Sequence, residues 1–350
     1  MEHIKPNSPF ITVIITAYGR KEYLLGAFKS AMNQTLGRNE YEIIVTKNFK
    51  DKEIDSYVES HGGRLVFFPR GNLGLQLVDA LKYAKGEVIC LLEDDDLFTN
   101  DKLEYINRCF ANNRKLIYVH NYPIFIDNNG NKFKSGLNKY EVGYELLLKP
   151  EDRNLVKLIK AEVLYPAQFP SCTCIKKDVI LKFSKQLKKA GTHDFFIYLI
   201  SLFTLGDIFL TYKRLTLYRL HESDSNSLDN YNLSIKKRNR KMREVIKICN
   251  ILIKTNSKNN INISKKYFLF CYRRFKIDYY FSMRYKNYRI KVLINYIKNS
   301  GPFFLSLPKI ALLQGCQVIL YLISPKTFKK LNNKRINAYI KSKSELDESS

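Results

Sequence analysis

Tryptophan is absent from this 350-residue chain, although it carries 24 Tyr and 22 Phe. No physical reason for that bias is evident in the sequence. Also absent is an unbroken apolar run of the ~18–20 residues that a membrane-spanning helix requires. The nearest approach, residues 310–324, is interrupted by Gln314, Gly315 and Gln317, so a core or interfacial helix is expected there. The opening residues MEHIKPNSPF hold no apolar stretch, and no secretory signal peptide is expected. Cysteine is sparse: 7 residues, an odd and scattered set, in a chain long enough to bury a core without staples. Cys90, Cys249 and Cys316 lie inside apolar runs, which fits a reducing compartment. Cys172 and Cys174 flank Thr173, but no second Cys or His pair follows at zinc spacing, so they read as strand residues.

Acidic residues run short in one region only. Residues 1–230 hold 32 Lys+Arg against 28 Asp+Glu, whereas residues 231–350 hold 27 against 5, so most of the net charge of +26 belongs to the second stretch. The first stretch reads as an ordinary soluble α/β domain and the second as a surface for an anionic partner. Three segments are expected: the domain over 1–230, a basic, aromatic-rich helical extension over 231–342, and a disordered polar tail over 343–350.

Strand and helix signals alternate through the first 120 residues. The β-branched runs ITVIIT (11–16) and YEIIVT (41–46), then RLVFF (64–68), EVICLL (87–92) and LIYVH (116–120), predict five strands. Helical spacing of apolar residues predicts helices over 20–34, 51–60, 73–85 and about 100–113, with Gly86 closing the third. This order implies a mostly parallel sheet flanked by helices. Asp127-Asn128-Asn129-Gly130-Asn131 predicts a hairpin turn. Further on, 140–162, 177–189 and 193–205 are expected to be helical, and 171–175 and 207–220 to contain strands.

In a sheet of this kind ligands bind beyond the carboxyl ends of the strands. The fourth strand delivers Glu93-Asp94-Asp95-Asp96 to that edge. Consecutive carboxylates repel one another unless a cation is near, and oxygen ligands of this type suit a hard divalent ion, Mg2+ or Mn2+. An acidic helix cap is the plainer alternative, but one Asp would suffice for a cap.

Several segments together resemble the family-2 glycosyltransferases of the GT-A fold. ITVIITAYGRKEYLLGAFKSAMNQT (11–35) resembles the opening strand, turn and helix, and EIIV (42–45) the second strand. GNLGLQLVDALKYAKGE (71–87) resembles the helix before the metal strand, and LLEDDDLFTNDKLE (91–104) the aspartate motif. The resemblance covers roughly residues 9–228 and is specific as a set rather than piece by piece. It implies a metal-dependent transfer of sugar from a nucleotide-sugar donor to the hydroxyl of a glycan or lipid-linked acceptor. Asp95 then matches the main metal ligand, with Glu93 and Asp96 assisting; Asp94 matches a residue near the ribose, and Ala17 and Tyr18 match the loop that holds the base. The chain departs from the family after EIIV, where an Asp-Asp-Gly-Ser turn usually stands and Thr46-Lys47-Asn48-Phe49 is found. An ammonium only donates, so Lys47 cannot accept from a pyrimidine N–H.

Two later motifs complete the resemblance. In Gly191-Thr192-His193-Asp194 the last residue matches the general base of inverting members, although Asp194 or Thr192 could equally cap a helix starting there. In Tyr218-Arg219-Leu220-His221 the Arg is expected at the diphosphate and His221 at the metal or phosphate.

The extension, densest over 266–298, mixes Lys and Arg with Tyr, Phe and Ile. That composition suits a membrane interface, which implies a cytoplasmic enzyme working at the cytoplasmic membrane face. A solvated helical cap is the equal alternative. A nucleic-acid-binding protein would also use such charge, but it leaves the acidic run unexplained, so nucleic acid is not the expected partner. A nucleotidyltransferase of related fold would show a glycine-rich basic loop after the first strand, which TAYGRKEY (16–23) matches poorly. An inactive relative of the family also stays open, given Lys47.

Overall fold

The computed structural model describes residues 9–69, 71–132, 145–153, 158, 169–220, 243, 244, 246–248 and 250–252. The described sheet residues belong to one compact unit, and the helical residues between 243 and 252 to another. Nearly all of the basic extension, the acidic tail and His221 lie outside the described residues. Among the described residues no helix is long and apolar enough to cross a membrane.

The unit is built on β1 (Ile11–Ala17), every residue of which is buried. A strand this rich in β-branched residues suits a position covered on both faces. It pairs in parallel with β2 (Tyr41–Lys47) and β4 (Val88–Glu93), and β3 (Arg64–Phe67) adds to β2. Alternate residues Ile11, Val13, Ile15 and Ala17 of β1 join one core with Leu24, Ala27, Phe28 and Ala31 of α1 (Leu24–Met32) and Val58 of α2 (Lys52–Ser60). Leu103, Ile106 and Phe110 of α4 (Lys102–Asn112) belong to the same core. The other alternation, Ile14, Ile44, Ile89 and Leu91, is buried as well. Polar starts fix the helices: the Asp51 side chain accepts from Ile54 N at 3.2 Å at the head of α2, and Asn72 from Leu75 N at 2.9 Å at the head of α3 (Leu73–Ala80).

Beyond β4 the order departs from a simple alternation. β8 (Thr173–Lys176) inserts antiparallel between β4 and β6 (Leu116–Ile126), with Cys174 opposite both Cys90 and Val119. The long β9 (Asp207–Arg219) runs parallel to β6. Its other edge takes β7 (Leu146–Leu148) near its start and β5 (Leu97–Phe98) near its end, both antiparallel. The result is a mostly parallel α/β sheet in the order β3-β2-β1-β4-β8-β6-β9-β5. The last described helices are α5 (Lys177–Lys182), α6 (Ser184–Ala190) and α7 (Asp194–Leu202).

Several expectations are corrected. The described part of 140–162 holds β7 and a one-turn 3-10 helix at Pro150–Asp152 besides a helical Leu158; a three-leucine run has no periodicity of its own, and the open edge of β9 decides it. The helix expected over 73–85 ends at Ala80. Gly86 therefore does not cap it; a Cβ there would lie 2.6 Å from the backbone of Ile11 and Thr12, so glycine is needed for close approach to β1. The helix expected over 177–189 breaks at Phe183, and Cys172 lies in a 3-10 turn, Pro170–Cys172, rather than in a strand. The turn at Asp127 forms as expected: its carboxylate accepts from the backbone of Asn129 and Asn131, and Gly130 takes φ +89°.

Candidate functional site

β1 and β4 end side by side, with Thr16 opposite Glu93. The chain then turns sharply, Asp96 N donating to Glu93 O at 3.3 Å, before β5 begins. This turn holds the four carboxylates at the carboxyl edge of the sheet. Asp94 is anchored by its backbone N, which donates to Thr16 O at 3.2 Å.

The four differ sharply in environment. Asp96 is fully buried; its Oδ2 accepts from Ser171 Oγ at 2.5 Å and its Oδ1 from Arg219 N at 2.9 Å. Burial, with the charge of Asp95 next, holds its carboxyl well above the usual range despite those two bonds. Asp94 is nearly buried, and burial pushes it up to about 6 even though Arg20 pulls the other way. Asp95 is the more open, its side chain 14% exposed. One carboxylate oxygen from each of Glu93, Asp95 and Asp96 lies within 4.8 Å of the others. That spacing is close to what opposite oxygens around a divalent ion of ~2.1 Å bond length need, and an all-oxygen donor set suits Mg2+ or Mn2+. The residues therefore fit a hard divalent cation, with Asp96 held in place by the fold and Asp95 partly exposed.

Ser171 organises this turn from behind. Besides its bond to Asp96, its Oγ accepts from Glu93 N at 2.9 Å. Its own carbonyl accepts from the buried Lys102 Nζ at 2.5 Å and from Thr216 Oγ1 at 3.1 Å. Thus α4 and β9 are tied to the loop before β8, and through it to the acidic turn. Nothing in the sequence pointed to Ser171 or Lys102, since each lies outside any local motif.

Arg20 was also missed as a site residue. Its Nη2 donates to Asp94 Oδ1 at 2.6 Å and its Nε to Asp94 Oδ2 at 3.3 Å, while Nη2 stands 2.7 Å from Asp95 Oδ2. Burial works against the guanidinium charge, but Asp94 and Asp95 outweigh it and raise its pKa. The available signal was electrostatic: four carboxylates in a row call for a counter-ion, and Arg20 follows the glycine that turns the chain off β1.

Arg219 makes its described side-chain bonds to backbone carbonyls. Its Nε donates to Asp95 O at 2.9 Å, and Nη1 donates to Asp127 O and Asn128 O at 2.7 and 2.8 Å. The guanidinium covers the Tyr23 ring at 4.4 Å, and the residue as a whole is 7% exposed. These bonds fasten the acidic turn to the turn after β6, a positioning task.

The ends of β1 and β2 and the loops after them line the same edge of the sheet. Ala17 is buried, its carbonyl accepting from Gln76 Nε2 at 3.2 Å. Tyr18 is 53% exposed, and its hydroxyl reaches Gly71 O at 3.5 Å. Gly19, at φ +71°, donates from N to Asn48 Oδ1 at 2.7 Å, joining the loops after β1 and β2. Lys47 turns inward, with Nζ 2.5 Å from Asp55 and 2.8 Å from Phe49 O, and is 2% exposed. Asp194 is the first residue of α7, after His193, whose side chain makes no capping bond. Gly191, before it, packs against Asn72 at the head of α3, where a Cβ would lie 3.7 Å from Asn72 Cγ.

Residues 12–172 match the profile of Glycosyl transferase family 2. An uncharacterized glycosyltransferase of Methanocaldococcus jannaschii is 27% identical over 202 residues, which cover 55% of this chain and 64% of that protein. One from Rickettsia typhi is 24% identical, covering 64% of this chain and 70% of its own. The minor teichoic acid biosynthesis protein GgaB of Bacillus subtilis is 30% identical over 35% of this chain, but that segment is 15% of GgaB. Crystal structures of S. aureus TarS 1–349 with UDP and with UDP-GlcNAc superpose with TM-scores of 0.54 and 0.53, at 12% and 13% identity, over 97% of this chain and 92% of theirs. At that identity the likeness is one of fold, and it places the sheet among GT-A architectures.

Proposed function

Because residues 12–172 match the profile of Glycosyl transferase family 2, we propose that this chain is a member of that family and transfers a sugar from a nucleoside diphosphate sugar to an acceptor hydroxyl, with inversion at the anomeric carbon and with help from a divalent cation. The observation that carries this reading is the convergence of Glu93, Asp95 and Asp96 within 4.8 Å at the end of β4. UDP and UDP-GlcNAc in the TarS structures support a donor of that class.

Asp95 is the principal ligand for Mn2+ or Mg2+, with Glu93 and Asp96 completing the protein's share. When bound, the cation neutralises charge that builds on the departing diphosphate. The exposed Tyr18 offers its ring to the base, and Asp94 is assigned to the ribose. Lys47 is committed to Asp55 and takes no part in reading the base. Asp194 takes the proton of the acceptor hydroxyl as that oxygen attacks the anomeric carbon, and the bond from that carbon to the diphosphate oxygen breaks on the opposite face. Arg219 holds the turn that carries Asp95. The acceptor is a glycan or a lipid-linked glycan, and residues 231–342 bring the enzyme to a membrane surface.

A calorimetric panel of nucleoside diphosphates and their sugars, with and without Mn2+, tests this. Metal-dependent binding of one donor is expected; binding of RNA but of no nucleotide overturns the reading.

A further inference from the structure

The acidic turn already has a cation of its own. Arg20 bridges Asp94 and Asp95 through one nitrogen, Nη2, at 2.6 and 2.7 Å. The Asp95 oxygen that it holds belongs to the carboxylate grouped with Glu93 and Asp96. A guanidinium and a divalent ion sharing one carboxylate repel each other across a few ångströms, in surroundings where water screens poorly. We propose that Arg20 is a latch: it occupies Asp95 when no metal is bound, and it leaves that carboxylate when a divalent ion and a nucleoside diphosphate arrive, turning its charge to the diphosphate. The proposal rests on the metal reading above.

The loop is built for a side-chain movement of this kind. Its backbone is held on either side of Arg20, Gly19 N donating to Asn48 Oδ1 and Lys21 O accepting from Leu24 N at 3.2 Å. Arg20 itself keeps 30% of its side chain exposed, so it can swing without unfolding the loop. Its partner Asp94 is 4% exposed and remains in place through its backbone bond to Thr16. A planar guanidinium with several donors suits diphosphate oxygens as well as carboxylates, which a lysine ammonium does less well. One group thereby couples two ligands: metal without nucleotide must break the Arg20–Asp95 pair with nothing in exchange, whereas metal with nucleotide supplies the guanidinium with a replacement anion beside Asp94. Binding of either ligand then strengthens binding of the other.

The test is Mn2+ titration of the full chain, by calorimetry and by the loss of the free Mn2+ paramagnetic resonance signal, alone and with UDP or GDP. Arg20→Ala is expected to bind Mn2+ alone about tenfold more tightly than the parent protein, and to lose most of the strengthening that the nucleotide gives. Arg20→Lys, which keeps charge but not the fork, should fall between. Circular dichroism melting checks that both variants fold, and Arg20→Gln replaces Arg20→Ala if the latter does not. Equal or weaker Mn2+ affinity in the neutral variant, with nucleotide strengthening intact, overturns the latch and leaves the metal reading standing. No Mn2+ binding by any protein, with either nucleotide, overturns the metal reading and the latch together.

Discussion

Ser171→Ala is the substitution that asks most directly whether the acidic turn is held from behind. Ser171 makes two bonds through one hydroxyl: it donates to Asp96 Oδ2 at 2.5 Å and accepts from Glu93 N at 2.9 Å. The first is a bond to a carboxylate, and losing one costs about 1.5–3 kcal/mol; the second leaves a backbone N–H of a central strand without its acceptor, at about 1–3 kcal/mol. Allowing for some relaxation, a loss of roughly 3 kcal/mol is expected. The chain lacks tryptophan, so urea unfolding is best followed by circular dichroism. With a slope of ~2.5 kcal/mol/M, the midpoint should fall by about 1 M at unchanged slope. Metal affinity should fall too, since the bond from Ser171 is one of the influences that keep Asp96 from being protonated still more readily. A cycle with Asp96→Asn separates the two bonds: in that background Ser171→Ala should cost roughly half as much, because only the Glu93 N–H loses its full partner. A loss below about 1 kcal/mol, or strict additivity in the cycle, would refute the argument that Ser171 fixes the turn.

Asp95→Asn should abolish turnover while the melting temperature stays close to that of the parent protein, and full activity would remove the metal assignment. Asp194→Asn should lower turnover by roughly 10²–10⁴-fold with donor affinity nearly unchanged, as measured by single-turnover kinetics and calorimetry. Asp94, pushed to about 6 by burial, binds its proton more tightly in the native state than in the unfolded chain. Metal-free stability should therefore fall as pH rises from ~4 to ~6, by roughly 2–3 kcal/mol from this residue, and Asp94→Asn should lack that component; parallel melting profiles for the two proteins would contradict it. Gly86→Ala forces a methyl to 2.6 Å from the backbone of β1 and should destabilise by about 1–3 kcal/mol in urea, against near-neutrality if Gly86 were only a helix terminator.

Much of the sheet was legible because its strands are β-branched and separated by amphipathic helices. β1, β2 and β4 fall where their isoleucine and valine runs lie, since such residues leave the chain few other ways to bury them. The insertion of β8 between β4 and β6 was not legible: Cys174 pairs with residues 84 and 55 positions away in sequence, and no local pattern encodes so long a return. The three leucines of β7 carried no periodicity, and their state was decided by the free edge of β9. The acidic turn was readable because strand ends are ligand edges in such sheets. The direction in which each arginine points was not. Arg219 stands in the motif that suggested a diphosphate ligand, yet its described bonds run to the carbonyls of Asp95, Asp127 and Asn128. Arg20, in the loop after β1 and given no role there by the sequence, reaches the carboxylates.

The placement of the two arginines has an electrostatic consequence. Among the described residues the acidic turn gathers four carboxylates. Lys102 and Arg219 keep their charges nearby, but their described side-chain bonds to carbonyls run to Ser171, Asp95, Asp127 and Asn128, whereas Arg20 stands on the oxygens of Asp94 and Asp95 themselves. Burial relieves part of the remaining repulsion by favouring the protonated forms of Asp94 and Asp96, an effect that for Asp94 fades above about 6. On the function proposed above, a divalent cation at Asp95 would take over the neutralisation that Arg20 supplies, and the guanidinium would turn to the diphosphate oxygens of a donor. The same carboxylates would then favour a nucleotide that arrives with its metal over a bare anion.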